Sequence, residues 1–492
     1  MRRSDWRSAA AGATLSSMKT LIRLLAAALA LPVVIGTAAA DMAPVKTESG
    51  LVAAAEEKGA LVYKAIPYAA PPTGRLRWRA PEPASPWPGV RAAEQFAPKC
   101  MQKGAYPEDA PAEAVSEDCL YLNIWAPGDA AASKRPVMVW IHGGGLLDGS
   151  GAVPLYAGDA LVRRGVIVVT LNYRLGAFGF LAHPDLSRES PHGVSGNYGL
   201  LDQLAALGWV RRNIAAFGGD PDNITVFGQS SGSISISALI ASPLSKGLFH
   251  RAIGQSGGFL EPIEAAPDFA LAGAEKNGAA FAAKLGAETL DALRALPAET
   301  ILARRFAPGP VIDGYALIAP PYRTYRAQGG LDLLVGSNAE EGLYFATRRT
   351  ITAANLASEL RKDFPPIFVA LLGPKKPADD AAARRAFVAF ESRMRFGWNM
   401  WAWARLNAKA GGGRTYFYRF DHAPPGAEGA AHGAEMIYAF DHLDQTSLPW
   451  TDEDRRLAES MAFYWTNFAK TGDPNGPGLP QWPAFTAQER AA

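Results

Sequence analysis

One serine in this chain stands where a protein can activate a hydroxyl group as a nucleophile. Residues 228–232 read Gly-Gln-Ser-Ser-Gly, and the spacing G-x-S-x-G on a strand-to-helix turn exposes its serine at the carboxyl edge of a sheet. Residues 223–227 are strand-like and residues 234–240 have a helical pattern, so the required context is predicted. We therefore expect Ser230 to be a nucleophile; the alternative is a turn of small residues without chemistry.

A run of glycines precedes this motif in the chain. Residues 142–145 read His-Gly-Gly-Gly and follow the apolar segment 136–141, which is typical of a buried strand. Glycines let backbone N–H groups approach a developing oxyanion. Gly144, Gly145 and the residue after the nucleophile, Ser231, are therefore the predicted oxyanion-hole donors. A flexible glycine turn is the alternative, but the run precedes the nucleophile in the order that this chemistry requires.

A serine nucleophile needs a neighbouring base, and the base needs a third group to orient it. In the chain order serine, acid, histidine, three of the seven histidines qualify, namely His422, His432 and His442. His432 lies in a loop of small residues after the predicted strand 415–420, and we favour it as the base. His422 directly follows that strand and fits a surface or capping position better.

Two neighbouring carboxylates are candidates for the orienting acid. The segment 336–342 follows a predicted strand over residues 331–335 and contains Glu340 and Glu341. Both would lie at the carboxyl end of the sheet. Position alone does not choose between them.

The elements that must hold these residues alternate between strands and helices. Residues 136–141 and 166–172 are continuous apolar, β-branched runs, which suit strands buried on both faces of a parallel sheet. Residues 198–217 have helical spacing instead. This alternation predicts an α/β fold with a mostly parallel sheet. The chain has no internal repeat and no long linker, so we expect one continuous domain.

Composition limits the classes of function. The chain has 492 residues, of which 48% are hydrophobic and 20% charged, with a net charge of +2, and this allows a large core. A nearly neutral chain without a block of basic residues has nothing to attract nucleic acid, so no nucleic-acid partner is expected. The chemistry outlined above needs no metal and no organic cofactor.

The N-terminal segment has the features of a secretory signal peptide. Residues 21–35 form a short apolar run preceded by a lysine, and the run leads into an Ala-x-Ala site that ends at Ala40. We predict a leader over residues 1–40, cleavage after Ala40, and a secreted or periplasmic protein. Met18 is the more natural start, which makes residues 1–17 an upstream extension. The alternative is a retained N-terminal anchor, although the run is short for a transmembrane helix, and no stable membrane insertion is expected.

The chain has only two cysteines, Cys100 and Cys119. In an exported protein an even count favours one disulfide closing a short loop, and two unpaired buried thiols are the alternative. Two cysteines without a nearby histidine are a poor metal site, so no metal is expected.

Six sequence blocks, in order, resemble the type-B carboxylesterases, the cholinesterase-like branch of the α/β-hydrolase fold. The block Ser-Glu-Asp-Cys-Leu-Tyr-Leu-Asn-Ile-Trp is similar to the most distinctive motif of that family. The blocks cover nearly the whole chain after the leader and lie at residues 65–77, 116–125, 172–180, 196–203, 213–221 and 465–474. The resemblance implies a bacterial secreted esterase with one α/β-hydrolase domain over residues 41–492, in which helices flank a mostly parallel central sheet.

The resemblance also implies roles for individual residues. It implies that the acid is the glutamate before the glycine, Glu341, acting with Ser230 and His432. It implies a disulfide between Cys100 and Cys119.

Four positions remain, and three of them depart from the family. Ser256 matches a family serine near the histidine and is expected to help hold the acid and base, unless it is a plain strand-end serine. Gln229 replaces the usual glutamate, which lowers the tendency of the histidine to stay protonated and weakens attraction for cationic alcohols. Ser231 replaces alanine, which is harmless where the backbone N–H is the donor. Leu146 replaces phenylalanine and is expected to open the acyl side of the substrate pocket.

The sequence therefore predicts a serine carboxylesterase that acts on a small-molecule ester through an acyl-enzyme, with neutral aryl or alkyl esters as substrates. Two alternatives stand beside it. One is a catalytically silent, cholinesterase-like binding module. The other is an esterase specialised for one bulky natural ester, such as a toxin, phenolic or polyester-derived ester. Oligomeric state is left open.

Overall fold

The computed structural model describes residues 43–104, 114–129, 134–260, 266–328 and 330–488. The predicted leader and its cleavage site lie outside these residues. Residues from Pro44 onward cluster as one unit. Among the described residues, no helix has the length and apolar character needed to cross a bilayer.

A nine-stranded sheet forms the centre of the fold. Its strands in chain order are β1 (Ala55–Glu57), β2 (Ala60–Pro67), β3 (Tyr121–Pro127), β4 (Arg135–Ile141), β5 (Ile167–Leu171), β6 (Gly219–Gln229), β7 (Arg251–Gln255), β8 (Asp332–Asn338) and β9 (Thr415–Phe420). Their order across the sheet is β9-β8-β7-β6-β4-β5-β3-β2-β1. The six strands β4 to β9 are parallel, whereas β1, β2 and β3 pair antiparallel at one edge.

Sixteen α-helices are described around this sheet. They are α1 (Asp159–Val162), α2 (Gly176–Phe180), α3 (Pro184–Glu189), α4 (Tyr198–Asn213), α5 (Ser231–Ala241), α6 (Leu271–Lys284), α7 (Leu290–Ala295), α8 (Ala298–Ala303), α9 (Pro321–Gln328), α10 (Leu343–Ala346), α11 (Leu356–Leu360), α12 (Pro366–Leu372), α13 (Asp380–Glu391), α14 (Trp398–Ala410), α15 (Met436–Ala439) and α16 (Asp452–Thr471). A π-helical turn, Ser392–Gly397, joins α13 to α14. The predicted helix over residues 234–240 begins at Ser231, directly after the expected nucleophile.

Helices cover both faces of the sheet because successive side chains of a strand point to opposite sides. In β4, Val137 and Val139 join a core cluster with residues of α4, α5 and α14. Between them, Met138 joins a second cluster with residues of α16. The continuous apolar run in the sequence is therefore buried on both faces, and the prediction of an α/β fold with a mostly parallel sheet is confirmed.

Two small sheets are separate from the central sheet. Three short strands, Val45–Lys46, Leu51–Ala53 and Val90–Ala92, form a separate small sheet. The strand pair Lys99–Cys100 and Val115–Ser116 lies beside the disulfide between Cys100 and Cys119. Both cysteines are buried. The structure thus contains the disulfide that the sequence predicts.

Candidate active site

Ser230 lies on a tight bend between the end of β6 and the start of α5. Its backbone has φ 55° and ψ −125°, a left-handed conformation that costs energy for a residue other than glycine. Its N–H donates to the Gln255 carbonyl oxygen at 2.8 Å. A Cβ at Gly257 would lie 2.3 Å from the Ser230 carbonyl oxygen, and one at Gly232 would lie 2.0 Å from that of Ile141. Glycine at these two positions therefore allows the bend.

The glycine run follows β4 and lies against the first turn of α5. Gly144 and Gly145 have φ values of 108° and 65°, which favour glycine. A Cβ at Gly144 would lie 2.1 Å from the Asp148 carbonyl oxygen. The N–H of Leu146 donates to the Ser231 hydroxyl oxygen at 3.1 Å. The Ser231 side chain thus joins the glycine run to the first turn of α5, a contact that an alanine could not make and that sequence reasoning missed.

His432 and Glu341 form a buried pair. His432 Nδ1 lies 2.5 Å from Glu341 Oε2, and the other oxygen, Glu341 Oε1, accepts the backbone N–H of Asn338 at 2.8 Å. The neighbouring Glu340 instead accepts the N–H of Ala430 at 3.0 Å. Of the two adjacent glutamates, Glu341 is therefore the one that contacts His432. An imidazole whose Nδ1–H donates to a carboxylate has its Nε2 lone pair free to accept a proton.

The two other candidate histidines have structural partners. His422 Nε2 lies 2.7 Å from Asp454 Oδ1, and Asp454 belongs to the capping box that begins α16. His442 Nδ1 donates to the Leu155 carbonyl oxygen at 2.9 Å, and its Nε2 is 3.3 Å from Asp159. His422, expected at a surface or capping position, therefore contacts a residue of the capping box.

Gln229 contacts the same imidazole from the end of β6. Its Nε2 lies 3.2 Å from His432 Nε2, so the amide can donate a hydrogen bond to the lone pair on His432 Nε2. This is the lone pair that would accept the proton of a serine hydroxyl. A neutral amide occupies the place where the resemblance implies a negative charge. Phe396 also packs on the imidazole, with ring centroids 4.6 Å apart.

A second buried glutamate lies behind the pair, and the sequence analysis did not identify it. Glu435 accepts the side-chain amide N–H groups of Gln255 at 3.1 Å and Asn338 at 2.6 Å. Burial, followed by the negative charge of Glu341, raises the pKa of Glu435. Its place three residues after His432 was the only signal available. The side chain supports Asn338, whose N–H in turn orients Glu341.

Ser256 stands at the end of β7 in a bend like that of the nucleophile. Its φ is 55° and its N–H donates to the Gly336 carbonyl oxygen at 2.8 Å. Its buried hydroxyl has no hydrogen-bond partner among the described residues. No described contact therefore links this side chain to the acid or the base.

A cavity of about 550 Å³ lies beside the glycine run and the start of α5. Gly145, Leu146 and Ser231 are among the residues that line it. Residues 363–399, here called the helical wall, supply much of the rest: Asp363, Phe364, Pro365, Phe368, Leu372, Met394, Arg395, Trp398 and Asn399. Asp363 and Arg395 are 3.5 Å apart. Most of the lining is apolar, which suits a ligand with a hydrophobic body.

Comparisons with known proteins agree on one family. A sequence model of the carboxylesterase family matches residues 43–492. The fumonisin B1 esterase of Sphingopyxis macrogoltabida is 39% identical over 460 residues, which are 89% of this chain and 84% of that protein. The para-nitrobenzyl esterase of Bacillus subtilis (strain 168) is 38% identical over 479 residues, which are 91% of this chain and 93% of that protein.

Solved structures extend the similarity to the fold. A PNB esterase structure superposes with a TM-score of 0.79 at 36% identity, covering 90% of this chain and 93% of the other. A carboxylesterase structure from Geobacillus stearothermophilus gives a TM-score of 0.78 at 35% identity, covering 91% and 95%. The chain therefore belongs to the carboxylesterase family, has the α/β-hydrolase fold and is a carboxylic ester hydrolase.

Proposed function

We propose that this hydrolase cleaves its ester through an acyl-enzyme formed on Ser230, with His432 as the base and Glu341 as the orienting acid. The contact of 2.5 Å between His432 Nδ1 and Glu341 Oε2 carries this proposal. It holds the imidazole in the tautomer in which Nε2 can accept a proton. Both side chains are buried, which strengthens their interaction.

In the first half-reaction, His432 Nε2 takes the hydroxyl proton as Ser230 Oγ bonds to the ester carbonyl carbon. The carbonyl oxygen becomes negative, and the N–H groups of Gly144, Gly145 and Ser231 donate to it. His432 then gives its proton to the leaving alcohol oxygen as the carbon–oxygen bond breaks, leaving the acyl group on Ser230.

In the second half-reaction, water attacks the acyl carbon. His432 accepts a proton from that water and returns it to Ser230 Oγ when the ester bond to the enzyme breaks. The products are the free carboxylic acid and the regenerated serine. Glu341 stabilises the imidazolium that exists between the two proton transfers.

Neutral aryl or alkyl esters are the proposed substrates. The cavity lining supports this because it is mostly apolar and its two charged residues, Asp363 and Arg395, lie 3.5 Å from each other. Gln229 supports it as well, since a neutral amide beside the base does not attract a cationic alcohol.

An esterase for one bulky natural ester is the second candidate. A cavity of about 550 Å³ can hold a large acyl or alcohol group, and one similar protein is named for the esterase activity on fumonisin B1. A series of aryl esters of increasing acyl length separates the candidates. A broad optimum at short to medium chains supports the general esterase, and poor rates throughout support the specialised one.

The test of the nucleophile is Ser230→Ala together with covalent labelling by an organophosphonate. We expect wild type to label once and the variant to lose at least about 10,000-fold in kcat without labelling. Ser235→Ala is the matched control, because this buried serine lies in the same helix and bonds Gln203 instead. A wild type that neither labels nor hydrolyses a short aryl ester would instead support the silent binding module.

We also propose that the protein is exported, as a mature chain that begins at residue 41. The disulfide between Cys100 and Cys119 supports this, because such bonds persist in oxidising compartments. Mass spectrometry of the protein recovered from periplasm and medium tests it. A recovered protein that retains residues 1–40 would contradict it.

A further inference from the structure

The short helix α12 presents apolar side chains in two directions at the mouth of the cavity. Phe368 and Leu372 line the cavity. Ile367 and Leu371 face solvent, with 57% and 73% of their surface exposed. Val369 packs into a buried cluster with residues of α13.

The exposed apolar face is continuous with the cavity lining. Successive residues of a helix are about 100° apart, so Ile367 and Leu371 lie directly beside Phe368 and Leu372. Val369 points away from the exposed residues and anchors the helix through its buried contacts with α13. Trp398 lines the same cavity and is 40% exposed, which widens the apolar rim. A contiguous exposed apolar patch on a protein surface marks an interaction site.

Basic residues stand at both ends of this patch. Residues 361–376 contain four lysines or arginines and one aspartate. Lys375 and Lys376, after the helix, are exposed. Arg361, before the helix, is exposed too, and Arg393 is exposed and donates to the Leu372 carbonyl oxygen at 3.4 Å.

The nearby acidic side chains are engaged elsewhere. Asp363 faces the cavity and pairs with Arg349 at 2.5 Å as well as with Arg395. Asp379 caps α13, and Asp380 accepts the N–H of Ala353 at 2.8 Å. The apolar patch is therefore flanked by exposed lysines and arginines, and the exposed carboxylates of Asp379 and Asp380 lie beyond Lys376.

We propose that α12, the adjoining Trp398 and the flanking basic residues form a docking surface for an anionic lipid interface. α12 itself is apolar throughout, and exposed apolar side chains with lysines or arginines beside them bind such surfaces by burial of apolar area and by attraction to anionic headgroups. Docking would place the mouth of the cavity against the interface, so that an ester dissolved in it enters without crossing water. This inference rests on the proposed function, because the ester that enters is cleaved by the proposed triad.

A second copy of the chain fits this patch less well. Two-fold contact would bring the patch against itself, placing Lys375 and Lys376 near the same residues of the other copy. The patch is also built on a helix of only seven residues, whereas a stable dimer buries about 800 Å² on each partner. Negatively charged headgroups satisfy the same lysines.

Vesicle sedimentation tests the docking surface. Wild type is mixed with vesicles of phosphatidylglycerol and phosphatidylcholine in equal parts, and with phosphatidylcholine alone. We expect binding to the anionic vesicles that weakens with salt. The double variant Ile367→Ser/Leu371→Ser should bind at least about tenfold more weakly, and Val90→Ser, an exposed apolar residue of the small separate sheet, should bind as wild type.

Activity on two forms of substrate gives the second readout. The double variant should hydrolyse a soluble short aryl ester at the wild-type rate and lose rate only on a long-chain ester presented in anionic vesicles. Equal vesicle binding by wild type and double variant, or no binding by either, would overturn the proposal. So would a concentration-dependent dimer that the double variant abolishes, since that identifies a second copy as the occupant.

Failure of the docking surface is distinct from failure of the proposed function. Organophosphonate labelling of Ser230 and hydrolysis of the soluble ester report the chemistry alone. A melting temperature within a few degrees of wild type shows that the double variant is folded.

Discussion

Two regions of the molecule meet in the substrate cavity, and they are built differently. The catalytic edge, the loops that follow the parallel strands and carry Ser230, Glu341 and His432, is buried and closely hydrogen-bonded. The helical wall, residues 363–399, consists of short helices and a π-helical turn and exposes apolar side chains. In the proposed mechanism the edge supplies the chemistry, and we propose that the wall adapts the enzyme to its ester.

Backbone hydrogen bonds explain the rigidity of the catalytic edge. The N–H of Ser230 donates to the end of β7, and the N–H of Ser256 donates to β8, both at 2.8 Å. Each bend is thus tied to the next strand, which stabilises two left-handed residues. In the wall, by contrast, side chains that line the cavity join separate segments, as in the Asp363–Arg395 pair, so a single substitution there should change the fit of the substrate and leave the chemistry intact.

The largest expected effect lies in the catalytic edge. Glu341→Gln keeps the volume of the side chain but presents an amide that can no longer accept both the Nδ1–H of His432 and the N–H of Asn338. The imidazole then loses its orientation and the stabilisation of its cation. We expect kcat to fall about 10,000-fold, measured on a short aryl ester.

Glu340→Gln is the matched control for that change. Glu340 accepts the N–H of Ala430 and makes no described contact with the imidazole. Its kcat should stay within about tenfold of wild type. A larger loss in Glu340→Gln than in Glu341→Gln would reverse the assignment of the acid.

The next effect is on stability and comes from the histidine that begins the glycine run. Burial lowers the pKa of His142 from 6.5 to about 4. Between pH 6.5 and about pH 4 the unfolded chain binds a proton at His142 that the folded protein excludes. The free energy of unfolding is therefore highest above the unfolded pKa of 6.5 and decreases as the pH falls towards the folded pKa of about 4. The expected loss is about 3 kcal/mol, roughly a hundredfold in the folding equilibrium.

Urea unfolding of wild type and His142→Asn at about pH 7 and pH 4 measures this loss. The variant cannot titrate at this position, so its free energy of unfolding should depend less on pH. Equal pH dependence in the two proteins would show that His142 does not carry the acid sensitivity.

A smaller effect is expected in the helical wall. Phe368→Ala removes an aromatic contact from the cavity lining, worth about 1.5–3 kcal/mol when fully buried by substrate. The KM for a bulky ester should rise roughly tenfold, while kcat for an acetyl ester changes by less than about twofold. Leu448→Ala, an exposed apolar position outside the cavity lining, is the control. A matching fall in kcat for both esters would show that Phe368 affects the chemical step and would contradict the division between catalytic edge and helical wall.

The smallest expected effect comes from Gln229, which contacts the imidazole from the end of β6. Gln229→Glu restores a negative charge 3.2 Å from His432 Nε2. A choline ester should gain a few-fold over its neutral dimethylbutyl counterpart. An unchanged preference between the two esters would show that the side chain at position 229 does not influence the choice of alcohol.

Much of the catalytic edge could be predicted because its chemistry depends on local patterns. The G-x-S-x-G turn, the glycine run and the buried β-branched strands are each read over a few residues, and the resemblance to the carboxylesterases joined them. Glu435 and the Ser231 hydroxyl were missed. Their roles depend on partners far away in the chain, Gln255 and Leu146, which no local pattern brings together.

The amino-acid sequence by itself determined the fold class and the expected nucleophile, since strand and turn preferences act between near neighbours. The family and the disulfide were expected from the resemblance of ordered sequence blocks. Only the tertiary structure decided which carboxylate meets His432. Glu340 and Glu341 are adjacent and alike, and the direction in which each side chain leaves the end of β8 separates them. The tertiary structure alone also decided which side chains of the helical wall line the cavity. The apolar residues of α12 have the same sequence pattern whether they face a core, a cavity or solvent.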